Sequence, residues 1–291
     1  MFHVKSYAKI NWTLDVLFKR EDSYHELRTI YQTISLHDLL HVSHSTGAIE
    51  IVCRDERVPA DETNLAHKAA VLLRDAANVK TGARIEIEKR IPVAAGLGGG
   101  SSNAAAALLG LARLWRVELA EREMMALAAR LGSDVPFFLI GGTALGVSRG
   151  EEVYAIEETV CEDLLLVNPG FAVSTAAAYG GLSRLTTNDA ARIIPFTLLA
   201  AKAIRELPLA ASNDLEETVS AAYPEIAEVK RRLLSLGARR ALMSGSGATL
   251  FAVFDNSQAS ERALSEMRAA GYWSEKARAI NRREYWNTIF D

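Results

Sequence analysis

A glycine-rich segment in the first half of the chain carries the clearest sign of chemistry. Residues 92–103 read Pro-Val-Ala-Ala-Gly-Leu-Gly-Gly-Gly-Ser-Ser-Asn and continue into an alanine-rich run. Glycines let the backbone approach a ligand and adopt positive φ angles. The first N–H groups of a helix are unpaired and carry a partial positive charge. The segment therefore predicts a phosphate-binding loop, in which Ser101 and Ser102 add hydroxyls for phosphate oxygens or magnesium.

The competing interpretation of this segment is a flexible turn with a serine helix cap, which would rarely need so many glycines. Other phosphate sites are excluded by their motifs. No Gly-Lys-Ser/Thr occurs, so the loop is not a Walker A motif, and Ser101 stands where the dinucleotide fingerprint has its third glycine. The His-Arg-Asp and Asp-Phe-Gly motifs of protein kinases are absent as well.

One aspartate and one lysine could serve phosphoryl transfer to a hydroxyl group. Asp134 follows a predicted helix end and precedes Pro136. A carboxylate there could accept the proton of an attacking hydroxyl, although by residue type alone a helix N-cap is the more common role. Lys9 is a cation within an apolar strand pattern, and its competing interpretation is a lysine whose amine reaches the surface.

Hydrophobic periodicity predicts the elements that position these residues. Strands are predicted over 4–17, 30–42, 49–53 and 84–88, and helices over 64–77, 104–115 and 121–131. The second half has a strand–helix–strand–strand–helix order over 163–168, 224–237, 241–243, 248–254 and 257–270. That order predicts a ferredoxin-like α+β unit. We place the boundary between the two halves in the acidic stretch 151–162.

Composition narrows the functional classes. The chain has 291 residues with a formal net charge of -3, which predicts neither nucleic-acid nor anionic-membrane binding. Cys53 and Cys161 are the only cysteines and have no metal-ligand spacing, so free thiols and no protein metal site are predicted. The N-terminus lacks the apolar stretch of a signal peptide, so we expect a cytoplasmic protein, either a monomer or a homodimer.

Three stretches together resemble the GHMP kinases, the superfamily of galactokinase, homoserine kinase, mevalonate kinase and phosphomevalonate kinase. They are the loop at 92–102, Ser-Tyr-Ala-Lys-Ile-Asn at 6–11, and Met-Ser-Gly-Ser-Gly-Ala-Thr-Leu-Phe at 243–251. The resemblance implies a two-domain α+β fold, with a ribosomal-protein-like α/β domain over 1–157 and a ferredoxin-like domain over 158–291. It also implies ATP and Mg²⁺ as cofactors. ATP would be held by Pro92, Gly96, Leu97, Gly98, Gly99, Gly100, Ser101, Ser102 and Asn103.

Further segments resemble one branch of these kinases, which phosphorylates the C2 hydroxyl of 4-diphosphocytidyl-2-C-methyl-D-erythritol in the non-mevalonate isoprenoid pathway. They include Tyr-His-Glu-Leu at 24–27, Gly-Ser-Asp-Val-Pro-Phe-Phe at 132–138, Arg-Gly-Glu at 149–151 and Asn-Asp-Leu-Glu at 213–216. The likeness implies that Asp134 is the general base and that Lys9 orients it.

The same likeness implies a small-molecule cytidine-diphospho substrate and assigns residues to it. Tyr24 and His25 would read the cytosine, and Asn11 would hydrogen-bond the substrate. Tyr31 and Tyr179 are candidates for further aromatic walls, while Asn64 and Lys89 are expected toward the nucleotide. Stacking of a base on an aromatic ring is worth roughly 1–3 kcal/mol in nucleic-acid binders.

Some features depart from the branch or compete with it. Ser23 stands where a glycine usually precedes Tyr-His, and serine resists a left-handed backbone. Residues 282–286 match no motif, and we expect them to pack on the second domain. The alternatives are another GHMP kinase of mevalonate or homoserine type, which would have no use for Tyr24 and His25, and a catalytically inactive GHMP-fold sensor, which would lack Lys9 or Asp134.

Overall fold

The computed structural model describes residues 1–182 and 207–290. In the first half the elements are β1 (Phe2–Lys19), β2 (His25–Ser45), β3 (Ile49–Cys53), α1 (Leu65–Ala76), β4 (Gly82–Glu88), α2 (Gly99–Trp115), α3 (Glu121–Leu131), a 3-10 helix (Pro136–Leu139), β5 (Thr143–Ser148) and β6 (Glu152–Ala155). In the second half the described elements are β7 (Leu164–Asn168), α4 (Thr175–Gly180), α5 (Leu207–Ala210), β8 (Ser212–Asn213), α6 (Leu215–Ala222), α7 (Pro224–Ser235), β9 (Arg240–Met243), β10 (Leu250–Val253), α8 (Ser257–Ala269), β11 (Trp273–Ala277) and α9 (Arg282–Thr288).

The first sheet is organised around one long antiparallel pair. Its order is β3-β4-β2-β1-β8, with β5 pairing β2 and β6 pairing β5. The register places Asn11 directly opposite Tyr31 and Lys9 opposite Thr33. Side chains two residues apart on a strand, and those directly opposite across an antiparallel pair, share one face of a sheet. Lys9, Asn11 and Tyr31 therefore lie on the same face.

The second sheet confirms the predicted ferredoxin-like half. Its described strands follow the order β11-β7-β10-β9, and every adjacent pair is antiparallel. The β7–α7–β9–β10–α8–β11 sequence is the split β-α-β pattern read from the sequence. Buried side chains of α7 and α8, including Val229 and Met267, pack with those of the sheet.

Helix α2 begins earlier than the alanine-rich pattern predicted. It starts at Gly99 rather than at residue 104, and its N-cap Gly98 has a left-handed φ of 69°. The last glycines and both serines of the predicted loop thus belong to the first turns of the helix. A high alanine content indicates the interior of a helix. The first residue of α2 depends instead on the left-handed backbone of Gly98, which hydrophobic periodicity does not predict.

The prediction that residues 282–286 pack on the second domain is wrong. Tyr285 of α9 is buried with core residues of the first half, and its hydroxyl donates to the Phe138 carbonyl oxygen at 2.5 Å. Trp286 donates from its ring nitrogen to the Ile140 carbonyl oxygen at 3.1 Å. The chain therefore returns to the first half and supports the segment that contains the 3-10 helix.

Within residues 1–182 and 207–290, no helix combines the length and the apolar composition that crossing a bilayer would require.

Candidate active site

A cavity of about 930 Å³ collects most of the residues that the sequence singled out. Its walls come from β1, β2, the glycine-rich loop, the start of α2, the segment after α3, α4 and the loop between β9 and β10. The predicted site residues on these walls are Lys9, Asn11, Tyr24, His25, Tyr31, Pro92, Gly96, Gly98, Gly99, Gly100, Ser101, Asn103, Asp134 and Tyr179. Residues as distant in the chain as Lys9 and Tyr179 thus face one space.

The glycine-rich loop is held against the glycine loop before β10. Gly96 has a φ of 76°, and an added Cβ would lie 2.2 Å from the Ser244 carbonyl oxygen. The Ser244 hydroxyl donates to the Gly96 carbonyl oxygen at 3.0 Å, and the Thr249 N–H donates to the Ala95 carbonyl oxygen at 3.2 Å. The two glycine motifs pack backbone against backbone, because Gly96 leaves no room for a side chain.

Lys9 and Asp134 are paired beside the start of α2. The Lys9 ammonium lies 3.4 Å from Asp134 Oδ2 and donates to Asn11 Oδ1 at 2.7 Å. The Lys9 side chain is only 4% exposed, whereas that of Asp134 is 31% exposed and opens to the cavity. An added Cβ at Gly98 would lie 3.0 Å from Lys9 Cγ, so the helix start sits directly against the lysine.

Asp134 does not cap the 3-10 helix that follows it. The N-cap of that helix is Val135, which makes no side-chain capping bond, and Pro136 occupies the first turn. The Asp134 carboxylate instead accepts a hydrogen bond from the Tyr31 hydroxyl at 3.0 Å. Asp134 therefore lines the cavity with its carboxylate and does not act as the helix cap that its position before Pro136 favoured.

Asn11 and Tyr31 are engaged with protein partners rather than left open for a ligand. The Asn11 amide accepts from Lys9 and donates to Thr29 Oγ1 at 2.6 Å, which fixes its orientation. The Tyr31 ring is 2% exposed and stacks on Phe137 at a centroid distance of 4.8 Å. These contacts favour a supporting role for both residues, and their direct contact with substrate stays a prediction.

Two residues of the predicted phosphate loop do not line the cavity. Leu97 is buried in the core, and its carbonyl oxygen accepts from the Lys9 N–H at 3.0 Å. Ser102 is buried, its hydroxyl accepts from Ser6 Oγ at 2.8 Å, and its N–H donates to the Gly98 carbonyl oxygen. The contacts of both residues hold the loop and helix in place, and their contact with ATP stays a prediction.

The structure also shows a buried carboxylate that sequence reasoning missed. Asp38 is fully buried and accepts from the N–H groups of Arg90 and Ile91, from Lys89 Nζ at 2.5 Å and from Asn103 Nδ2 at 2.9 Å. Asn103 also donates to Ser6 Oγ. Asp38 therefore ties the strand before the loop to the first turns of α2. No motif surrounds Asp38, so only the fold identifies it.

Asn64, which is expected near the nucleotide, and Asn213 of the branch motif also have structural partners. Asn64 caps α1 by accepting from the Ala66 N–H at 2.8 Å, and it lines the cavity. Asn213 donates to the carbonyl oxygens of Met243 and Gly245 at 2.8 Å each, which anchors the glycine loop before β10. Segment 213–216 thus acts on the site through backbone contacts.

The part of the cavity beside the turn between β1 and β2 is aromatic, and we call it the aromatic end. The rings of His25 and Tyr179 stack at 5.2 Å with an interplanar angle of 23°. Burial, and then the Lys19 ammonium, lower the pKa of His25. Burial, and then the Asp134 carboxylate, raise the pKa of Tyr179. Both rings are therefore neutral near pH 7, as base stacking and edge recognition require.

Tyr24 precedes His25 on an exposed turn and lines the same cavity. Its side chain is 54% exposed, and the Arg149 guanidinium lies 4.9 Å from its ring centroid. Ser23 adopts a φ of 69°, so the left-handed conformation expected of the usual glycine is kept by a serine. The Tyr24 N–H donates to Asp22 Oδ1 at 3.1 Å, and the Arg20 N–H donates to the Tyr24 carbonyl oxygen. These bonds hold the turn.

A cleft with a glycine-lined helix start, a lysine–aspartate pair and an aromatic end defines a small-molecule kinase of the GHMP type. The model of the GHMP kinases N terminal domain matches residues 64–142, and that of the GHMP kinases C terminal domain matches residues 197–272. The chain belongs to this family. Within it, the chain groups with the 4-diphosphocytidyl-2-C-methyl-D-erythritol kinases, on the likenesses that follow.

The relatives are similar over almost their whole length. The 4-diphosphocytidyl-2-C-methyl-D-erythritol kinase of Geobacter sulfurreducens is 43% identical over 279 residues, covering 95% of this chain and 98% of that protein. The enzyme of the same name from Bacillus cytotoxicus is 44% identical over 256 residues, covering 85% and 86%.

Solved structures agree with this grouping. A crystal structure of 4-(cytidine 5'-diphospho)-2C-methyl-D-erythritol kinase superposes with a TM-score of 0.78 at 34% identity, covering 96% of this chain and 100% of that one. Homoserine kinase from Cytophaga hutchinsonii reaches a TM-score of 0.74 at 19% identity, covering 97% and 95%, which shows the shared fold. The predicted α+β fold and family are thereby confirmed.

Proposed function

We propose that this chain transfers the γ-phosphoryl group of ATP to the C2 hydroxyl of 4-diphosphocytidyl-2-C-methyl-D-erythritol. The observation that carries the proposal is one cavity with the Lys9–Asp134 pair near the start of α2 and the stacked His25–Tyr179 pair also on its wall. A substrate with a sugar alcohol at one end and a base at the other matches both features. The relatives described above are named as kinases of the same substrate.

Phosphoryl transfer depends mainly on positioning and charge neutralisation. The glycine-lined start of α2 supplies backbone N–H groups and a partial positive charge for the phosphates of ATP. The oxygen of the C2 hydroxyl forms a bond to the γ-phosphorus of ATP, and Asp134 accepts the proton of that hydroxyl. At the same time the bond between the γ-phosphorus and the oxygen that bridges it to the β-phosphate breaks. ADP leaves with that electron pair. Lys9 neutralises charge beside the reacting groups and fixes Asp134 Oδ2.

Magnesium fits this site as a companion of ATP. Among the described residues, no group of three or more His, Cys, Asp or Glu side chains is placed to hold a metal ion. Magnesium in kinases is bound largely by substrate phosphates and water, with one or two protein oxygens. The Ser101 hydroxyl on the cavity wall at the start of α2 would be such an oxygen. The ion supplies charge neutralisation for the triphosphate.

The rival functions make different demands on these residues. An inactive sensor has no need of a buried lysine paired with a cavity-facing carboxylate, and both are present here. A mevalonate or homoserine kinase has no use for an aromatic base site. The stacked rings of His25 and Tyr179 and the sequence identity to the named relatives therefore favour the cytidyl substrate.

The direct test is a phosphorylation assay with product mass as its readout. Purified chain, ATP and magnesium should convert the cytidyl substrate to a product heavier by one phosphoryl group, with ADP formed in equal amount. Mevalonate and homoserine should give no product. Turnover of either of those with none of the cytidyl substrate would contradict the proposal, and full activity in excess chelator would contradict the magnesium requirement.

A further inference from the structure

We propose that Tyr31 is the positioning residue for the Asp134 carboxylate, a role that rests on the proposed kinase function. The Tyr31 hydroxyl donates to Asp134 Oδ1 at 3.0 Å, while the Lys9 ammonium lies 3.4 Å from Oδ2. The two oxygens of the carboxylate are thus held by different partners. The plane of the carboxylate is fixed, and its remaining lone pairs face the cavity.

The fold provides a socket for the Tyr31 ring. One ring face stacks on Phe137, and the Lys9 ammonium lies 5.7 Å from the ring centroid. An added Cβ at Gly146 would lie 2.5 Å from Tyr31 Cε2, and one at Gly150 would lie 2.5 Å from the Tyr31 hydroxyl oxygen. The ring therefore has one orientation, and that orientation aims its hydroxyl at Asp134.

The same contacts separate this role from that of a cytosine wall. A ring that is 2% exposed, with Phe137 on one face and glycine backbone at its edge, offers no open face to a base. Phe137 lies three residues after Asp134, in the 3-10 helix. Tyr31 thus contacts both the Asp134 carboxylate and the 3-10 helix that follows it. Removing its hydroxyl should therefore change the orientation of the Asp134 carboxylate.

The hydroxyl remains a donor over the working pH range. Burial, and then the Asp134 carboxylate, raise the pKa of Tyr31 well above its ordinary value. Around Asp134 the titratable groups are Lys9 from β1, Tyr31 from β2 and Tyr179 from α4, with Glu151 acting on Tyr31.

Tyr31→Phe tests this inference because it removes one oxygen and keeps the ring stack. We expect kcat to fall about tenfold, with the KM values for ATP and the cytidyl substrate within about twofold of wild type, since orientation matters most in the transition state. Tyr154→Phe is the matched control: this tyrosine is 55% exposed on β6, and its loss should change nothing.

A readout without substrate separates this inference from the proposed function. The ¹³C chemical shift of the Asp134 carboxyl carbon, assigned with Asp134→Asn and measured at one pH, should differ between Tyr31→Phe and wild type, because Oδ1 loses its hydrogen-bond donor. Gly146→Ala, which displaces the ring without altering its chemistry, should lower kcat in the same way. An unchanged carboxyl chemical shift with unchanged kcat in folded Tyr31→Phe would overturn the inference, whereas a wild type inactive on the cytidyl substrate would overturn the function alone.

Discussion

The two ends of the cavity are built in opposite ways. At the catalytic end, Lys9 and Tyr31 are 4% and 2% exposed, and their polar atoms contact Asn11 and Asp134 in a closed set of bonds. At the aromatic end, Tyr24 is 54% exposed, on a turn held by ion pairs at the protein surface. The first end is fixed before any ligand arrives, whereas the second retains an open face.

This difference matches the demands of the two tasks. Proton acceptance and phosphoryl transfer lose rate steeply when groups move by about an ångström. Base recognition contributes binding that is equal in the ground and transition states, so it tolerates a more exposed loop. Substitutions at the catalytic end should therefore change kcat, and those at the aromatic end should change KM.

Asp134→Asn should give the largest effect, a loss of about 10²–10⁴-fold in kcat, the usual range for a general base. The amide keeps an acceptor for Tyr31 but cannot take up the substrate proton. Binding of ATP should be nearly unchanged because Asp134 is not part of the glycine loop. Steady-state kinetics with a thermal unfolding scan would check this, and a folded variant with wild-type kcat would leave Asp134 without a catalytic role.

His25→Ala should raise the KM for the cytidyl substrate and lower kcat/KM by roughly 5- to 150-fold, with kcat less affected. The lost groups are an edge hydrogen bond and the ring stacked on Tyr179. Inhibition by free CMP should weaken in the variant, and discrimination between cytidine- and uridine-based substrates should fall. If the variant binds CMP as well as wild type, His25 is structural and the base site lies elsewhere.

The pH dependence of this binding follows from the same ring. Burial and the Lys19 ammonium lower the pKa of His25 from the ordinary histidine value of about 6.5. The neutral ring, with one donor and one acceptor nitrogen, therefore persists to a lower pH than in an ordinary histidine. Acidification through the lowered pKa removes the acceptor. The KM for the cytidyl substrate should therefore rise at low pH in wild type, and the rise should be absent in His25→Ala.

Gly99→Val should raise the KM for ATP about tenfold, the equivalent of about 1.4 kcal/mol. An added Cβ would lie 3.0 Å from Lys89 Nζ and 3.1 Å from Ile91 Cγ2, which shifts the start of α2 against the strand segment held by Asp38. Gly100→Ala is the control, because its nearest neighbour would be Leu65 Cδ1 at 3.8 Å. Equal ATP affinity in both variants would show that the helix start is not sensitive to this contact.

The sequence predicted the parts of the site that depend on local motifs. The glycine loop and the ferredoxin-like half could be read from residue types and spacing, whereas the catalytic roles of Lys9 and Asp134 were implied only by the resemblance to the GHMP kinases. The Asp38 carboxylate and the α9 support of the 3-10 helix could not. Each depends on a contact between distant positions, Asp38 with Asn103 and Tyr285 with Phe138, and no periodicity reports such contacts. The hydrogen bond of Tyr31 to Asp134 belongs to the same group.

The smallest expected effect concerns Ser23, where this chain keeps a left-handed turn without glycine. A left-handed backbone costs a non-glycine residue about 1–2 kcal/mol, and a glycine loses about 0.5–1 kcal/mol more than alanine on folding, so Ser23→Gly should stabilise the fold by about 1 kcal/mol or less. The KM for the cytidyl substrate should change less than about threefold, because Asp22 and Arg20 already hold the turn.

Ser23→Val sharpens the same test, since a β-branched residue is a genuine outlier at a φ of 69°. It should raise the KM for the cytidyl substrate while leaving kcat and the KM for ATP near wild type, because only the turn before Tyr24 and His25 is displaced. Kinetics of the glycine and valine variants side by side would show whether the aromatic end depends on this backbone conformation. Equal KM values in the two variants would mean that base recognition does not require the left-handed turn. The hydrogen bonds of the turn would then not set the position of Tyr24 and His25 at the aromatic end.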